Sequence, residues 1–271
     1  MRYVVAIIII QCCICCGDAK EKIIKASVND SEANFGQGTT ENDSYYESIL
    51  QIYPENDVAW RSRSVAYNKR GKLEEGIHML NAAVRLKPHA HIGYRGYVKL
   101  YMMHDYKGAL NDFYTLLDIS NEENPVAWGE NACKMIGLIH LYEANYDSAD
   151  IYLDRSILLT TEEFGIDYVD SRCFLYKAYA LLGQNRIEEA TEILETTLTI
   201  ENRFPEAHYL KAKLYHMSGN NEQALISIQR AEDIFKKYGG ATNAYFEMPY
   251  QLYASQIESL KKTLKESLNS L

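Results

Sequence analysis

The chain has 271 residues, 47% of them hydrophobic, with 37 acidic against 28 basic side chains and a formal net charge of −9. That length and apolar content support a substantial core, and the acidic balance argues against a nucleic-acid binder, whose affinity comes from cations neutralising phosphates. The sequence holds no HExxH, GxSxG, P-loop or dinucleotide-binding glycine pattern, so the common catalytic and cofactor signatures are excluded and no cofactor is expected.

The N-terminus is a distinct kind of material. Met1-Arg2 is a short basic start, and Tyr3 to Cys16 is apolar apart from Gln11. A run of about 14 residues is too short to span a bilayer, which needs roughly 20, and suits the hydrophobic region of a signal peptide over 1–16. Cys12, Cys13, Cys15 and Cys16 end it; a metal cluster there would lack the folded frame that brings ligands together. The run Cys13-Ile14-Cys15-Cys16-Gly17-Asp18 resembles the processing site of bacterial lipoproteins. That resemblance implies acylation of Cys16, with Cys13 second, and a lipid-anchored protein of the bacterial cell envelope, on the outer membrane or the periplasmic face. An ordinary cleaved leader, giving a soluble exported protein, is the alternative. Residues 17–42 are polar and small and predict a flexible tether, with Ile23-Ile24 able to begin a short helix.

From residue 43 a repeat sets in. Gly76, Ala109, Ala149, Ala190 and Ala224 recur roughly 33 to 41 residues apart, each after a turn and before an apolar run. The clearest unit is Asp57 to Ala90, and its clearest echo is Pro205 to Tyr238. Between them Trp60 aligns with His208, Ser64 with Ala212, Tyr67 with Tyr215, Gly71 with Gly219, Gly76 with Ala224, Leu80 with Ile228 and Ala83 with Ala231. Apolar or small residues three and four apart predict two helices per unit. Gly71 and Gly219 sit where a tight turn needs positive φ, and the small residues mark close helix crossings. Pro88 ends the first unit.

The spacing Trp60, Tyr67, Gly71, Gly76, Leu80, Ala83, Pro88 resembles the tetratricopeptide repeat. The resemblance implies an all-α, right-handed superhelical solenoid of about five helical hairpins over residues 43–238. Residues 91–124 keep Tyr94, Tyr101, Tyr106, Ala109 and Phe113 with the turn displaced by about one residue. Residues 130–163 carry Gly137, Tyr146, Ala149 and Leu153, with Cys133 in place of the early aromatic. Residues 171–204 carry Phe174, Ala178, Ile187, Ala190 and Leu194, with Asn185 where a turn glycine is usual. Residues 120–129 and 161–170 are long connections, and Ser44 to Asn56 reads as the second half of a preceding unit. From Ala244 onward Tyr245, Met248, Leu252, Ile257, Leu260, Leu264 and Leu268 predict one amphipathic helix, within a capping segment at 239–271. Dimerisation through the same stripe is the other reading. Cys133 and Cys173 read as two small buried side chains, with a disulfide permitted by export.

A solenoid's product is usually a surface. In this family the first helix of each unit lines the concave groove, which implies that Arg61, Lys69, Arg95, Lys99, Lys134, Arg172 and Lys213 face it, with Glu206 the lone acid in those slots. Asn68 and Asn131 add amides able to bond a peptide backbone. Tyr142, Tyr179 and Tyr209, from a chain with 22 tyrosines, should face the same groove. Val65 stands where the family's terminal-carboxylate clamp takes an asparagine, so that specificity is not carried over. The function this implies is a membrane-anchored interaction scaffold for a protein or peptide partner, acidic in character, with no nucleic acid, no metal and no catalytic residue. An envelope enzyme or carbohydrate-handling accessory that uses the repeats as a frame is the alternative. His89-Ala90-His91 at a unit boundary is expected to be exposed, and the pairs Glu74-Glu75 and Glu188-Glu189 to begin second helices, where acids favour the helix dipole.

Overall fold

The structure, a computed structural model, describes residues 38–269. The expected leader at 1–16, with Cys13 and Cys16, and most of the expected tether lie outside the described residues. Twelve α-helices follow among the described residues: α1 (Thr40–Ile52), α2 (Asp57–Lys69), α3 (Leu73–Leu86), α4 (Pro88–Tyr101), α5 (Tyr106–Ile119), α6 (Ala132–Tyr142), α7 (Tyr146–Phe164), α8 (Ser171–Gly183), α9 (Ile187–Ile200), α10 (Pro205–Met217), α11 (Asn221–Tyr238) and α12 (Ala254–Asn269). The fold is all-α, as the repeat pattern predicts. α1 takes in the last residues of the segment expected as tether, because Thr39 caps it by accepting a hydrogen bond from Asn42 N at 3.2 Å.

The repeat has a local cause. Gly71, His104, Ala144, Asn185 and Gly219 all have left-handed φ, between +53° and +77°, and each stands two residues before a second helix. That conformation reverses the chain between first and second helix. Five residues after it comes the small residue: Gly76, Ala109, Ala149, Ala190 or Ala224, each the fourth of its helix. All four alanines are fully buried. A Cβ on Gly76 would overlap the Asn68 amide, so a larger residue there would require Asn68 to move. Asn185 fills its turn slot with the residue most tolerant of φ > 0 after glycine, whereas Ala144 and His104 fill theirs at a cost.

The chain divides within α4 into two compact units, up to Val98 and from Lys99 onward. In the first, Tyr46, Ile49, Leu50 and Ala59 pack α1 on α2, and Asn56 starts α2 by accepting from Ala59 N at 2.7 Å. His89 is exposed as expected, but His91 is buried, its Nε2 2.7 Å from Asp57 Oδ2. A boundary proline sets the chain direction there, and Asp57 of the preceding unit then captures His91 and Lys87.

In the second unit α6 and α7, α8 and α9, and α10 and α11 pack as pairs. Leu175, Ala178 and Leu181 of α8 meet Ala190 and Leu194 of α9 and Ala207, Leu210 and Leu214 of α10. Ile257 and Leu264 of α12 close the end against Ala212, Ala224, Ile228 and Ala231, as a capping helix should. The long connection before α6 holds a two-residue antiparallel pairing, Val126–Ala127 with Glu130–Asn131, turned by Trp128 and Gly129 at positive φ. Cys133 and Cys173 are buried free thiols, the Cys173 thiol pushed up to about 12 by burial.

Two substitutions test this local account. Ala190→Leu should overpack its crossing and lower unfolding free energy by about 1–3 kcal/mol. Ala144→Gly should raise it by up to about 1 kcal/mol, because glycine adopts φ > 0 without the Cβ penalty. Urea unfolding followed by circular dichroism measures both, and equal midpoints for all three proteins would contradict the account.

Candidate functional site

The first helices of the second unit present a row of tyrosines. Tyr101 ends α4, Tyr142 ends α6, Tyr176 and Tyr179 lie one turn apart on α8, and Tyr209 lies on α10. The sequence placed Tyr142, Tyr179 and Tyr209 on this face, and in the structure all three lie beside the stretch that leads into α12. That stretch is not the helix predicted from Ala244. Gly239, at φ +78°, ends α11, the residue before Pro249 favours extended backbone, and helix resumes only at Ala254. Residues 239–253 instead run irregularly across the first-helix face.

The contacts are specific. The Phe246 ring stacks on Tyr101 with centroids 4.8 Å apart. The Tyr250 ring stacks on Tyr179 at 4.1 Å and reaches Tyr176 at 5.9 Å and Tyr142 at 6.0 Å. Glu206, almost fully buried, accepts a hydrogen bond from Ala241 N at 2.9 Å. Pro249 and Leu252 are buried. A space of about 70 Å³ remains between Tyr179, Glu206, Tyr209 and Tyr250. Burial, helped by neighbouring phenols, raises the hydroxyls of Tyr142, Tyr179 and Tyr250, so these rings stay neutral and act as apolar plates with a polar tip.

Two of the cations expected to line the groove, Lys99 and Lys134, are engaged internally. Lys134 is 4% exposed and lies between Glu130 (2.9 Å) and Asp170 (2.5 Å). Lys99 pairs at 2.8 Å with Asp112, which is fully buried. Asn68 is buried in the first unit and donates through Nδ2 to the Tyr94 hydroxyl at 3.3 Å. These three are internal, a correction to the expected groove. The partners explain why: Glu130 and Asp170 come from the long connections and Asp112 from a second helix, and first-helix register alone is blind to both. Arg61 lies over the Tyr94 ring at 5.6 Å, Arg95 donates to Asn81 Oδ1 at 2.9 Å, and the Lys69 stem packs against Gly38. Arg172 and Lys213, half-buried in the second unit, form no ion pair among the described residues. Lys213 lines a shallow groove with Tyr209, Ser255 and Thr263. Asn131, the residue before α6, sits elsewhere, in an open cleft of about 630 Å³ with Glu122, Glu123, Glu162, Glu163 and Phe164. The acids of that cleft come from the connection before α6 and from the last turn of α7, about forty residues apart, which no repeat period brings together. Among the described residues no group of His, Cys, Asp and Glu side chains is arranged to hold a metal, and no helix is long and apolar enough to cross a membrane.

Comparison with known proteins bears on the fold. Residues 181–237 match the tetratricopeptide repeat family. No curated protein matches the sequence. Among solved structures, PilW, a type IV pilus biogenesis factor, superposes with a TM-score of 0.65 at 14% identity, over 88% of this chain and 97% of that one. A tetratricopeptide repeat protein from Parabacteroides merdae gives 0.53 at 17% identity, over 88% and 82%. YrrB, a tetratricopeptide-repeat protein with an unusual peptide-binding site, gives 0.53 at 19% identity, over 71% and 93%.

The buried ion pairs fix an acid response. Burial alone would raise the carboxyls of Asp57 and Asp170, but His91 and Lys87 at the first, and Lys134 at the second, outweigh it and hold both below 3.8. The unfolded chain therefore takes up protons at higher pH than the folded one. The stabilisation is complete well above 3.8 and disappears as pH falls through the folded values. Lys134→Met should lower stability by about 1–3 kcal/mol near neutral pH and flatten the acid limb, since Asp170 loses its cation. Urea midpoints measured from about pH 6 to about pH 3 check this; an unchanged acid limb in the variant would contradict it.

Proposed function

We propose that this chain, built on the tetratricopeptide-repeat fold, is a non-enzymatic interaction scaffold that takes an extended polypeptide segment across the tyrosine face of its second unit. One observation carries the reading: α4, α6, α8 and α10 already hold an irregular stretch of chain there, by ring stacking and by a buried carboxylate that accepts a backbone N–H. Such a surface recognises a peptide through stacking and main-chain hydrogen bonding together. The fold shared with YrrB, described by its peptide-binding site, and with PilW, described by pilus biogenesis, supports a role in binding or assembling proteins.

Catalysis is not part of the reading. The most perturbed groups are phenols and thiols raised by burial, the opposite of an activated nucleophile. The acidic preference of the partner rests in this unit on Arg172 and Lys213, far fewer cations than the full ladder, so charge steers the encounter and the tyrosines supply most of the grip. The scaffold is held at a bacterial envelope membrane by acyl chains on Cys16, where each buried methylene contributes about 0.8 kcal/mol.

Two experiments test the proposal. Metabolic labelling with a fatty-acid probe should mark the wild type and the Cys13→Ala variant but not Cys16→Ala; a Cys13→Ala, Cys16→Ala double variant that still labels contradicts the anchor. A Tyr142→Ala, Tyr179→Ala double variant should lose the protein that co-purifies with the wild type from envelope extract while keeping its helical circular dichroism. Unchanged co-purification would contradict the tyrosine face as the binding surface.

A further inference from the structure

We infer that residues 241–250 are a built-in occupant of the tyrosine face that an incoming protein segment must displace, and that this segment carries the occupant's own signature: two aromatic side chains four residues apart, as Phe246 and Tyr250 are. The inference rests on the interaction-scaffold reading and adds the chemistry of the partner and the way access to it is controlled.

The way the stretch is held supports displacement. Its backbone bonds Gly239 N to Phe235 O at one end and Gln251 N to Met248 O at the other are local, while Ala241 N donates to Glu206 on a first helix. Stacking of the Phe246 and Tyr250 rings adds a side-chain attachment. No ladder has to break for it to lift, and the regions of a protein with few shared backbone bonds are the ones that open first. Both ends are fixed independently. Gly239 terminates α11 with its own N–H bonded into that helix, while Leu252 is buried beside Ile257 and Leu264 in the closing cluster. The stretch can therefore leave the face as a bow between two anchors, with α12 in place.

The occupant is also imperfect. Tyr250 has φ +55°, a conformation that a tyrosine avoids, and it is kept there by the rings of Tyr142, Tyr176 and Tyr179. A free peptide can place an aromatic ring in the same slot with an unstrained backbone. Of the flanking residues, Thr242, Asn243, Ala244, Tyr245 and Glu247 are exposed. Glu206 adds a requirement. Glu206 is 4% exposed, and once Ala241 N leaves, its carboxylate needs another donor, which the main chain of an extended ligand supplies. An intramolecular occupant competes at high effective concentration, so the apparent affinity for an outside segment falls by the fraction of time that the face is covered.

The test uses a fluorescent peptide with the sequence of residues 241–252 and the full described chain. Fluorescence anisotropy should show weak binding to the wild type and at least about tenfold tighter binding to a Phe246→Ser, Tyr250→Ser variant, whose own occupant no longer competes. Tyr179→Ala added to that variant should remove binding, as should serine at both aromatic positions of the peptide. Hydrogen exchange on the wild type provides a measurement free of any folding defect: amides of 241–250 should exchange far faster than those of α12. Amides protected as strongly as α12 would overturn the proposal. So would a well-folded variant that binds the peptide no better than the wild type; tight binding to both leaves the tyrosine face as a peptide site and removes only the occlusion. If exchange shows the stretch released and the peptide still binds neither protein, the scaffold reading of this face fails with it.

Discussion

In every repeat of this chain a left-handed residue stands five positions before a small one, and the rest of the structure depends on that pairing. The left-handed residue turns the chain back on itself. The small residue, reached one turn into the returning helix, lets the two helices approach until side chains larger than methyl no longer fit. Each hairpin is thus determined locally, and stacking neighbours only has to bury what the hairpin leaves exposed. The variation in length from unit to unit falls outside this six-residue core. α7 runs on to Phe164, and the connection before α6 lengthens into a small β-turn, without disturbing either position.

That regularity fixes where the first helices face and so builds the tyrosine row. One consequence is that the surface is made from tyrosines that also edge the packed cores. Tyr46 is fully buried and Tyr67 half-buried on its helix, whereas Tyr179 and Tyr209 pack partly against the cores and, with Tyr142, stack on the C-terminal stretch or line the space beside it. Stacking of this kind adds about 0.5–1.5 kcal/mol per ring pair beyond area burial. Three rings around Tyr250 are therefore enough to hold one residue in an unfavourable backbone conformation, which ties the local geometry of α6 and α8 to the path of a segment some seventy residues further on.

The helices and their crossings were legible because they are written in short-range pattern. Gly71 and Gly219 announce turns, Asn185 takes the same slot with the expected φ, and the four alanines were identified as buried from spacing alone. What escaped was set at long range or by punctuation that was given too little weight. The pairing of Lys134 with Asp170, and of Lys99 with Asp112, joins residues whose proximity no helical period encodes. The helix predicted from Ala244 followed an apolar rhythm that Gly239, Gly240 and Pro249 interrupt, and Tyr245, Met248 and Leu252 keep that rhythm while serving an irregular stretch. The signal was present: two glycines and a proline within eleven residues are a poor start for a helix. The burial of His91 shows the same limit, since its partner Asp57 lies one repeat away.

The central claim is that the tyrosine face of the second unit, and not the outer face of the second helices, meets the partner. It is tested most directly by placing a photo-crosslinking phenylalanine analogue at Tyr209 in the full-length chain, in intact cells, with the same analogue at Ile226 on the exposed side of α11 as the control. The account predicts one discrete adduct from position 209 that is absent from position 226 and disappears when Tyr179 is replaced by alanine. Identical adducts from both positions, or an adduct from position 226 alone, would contradict it.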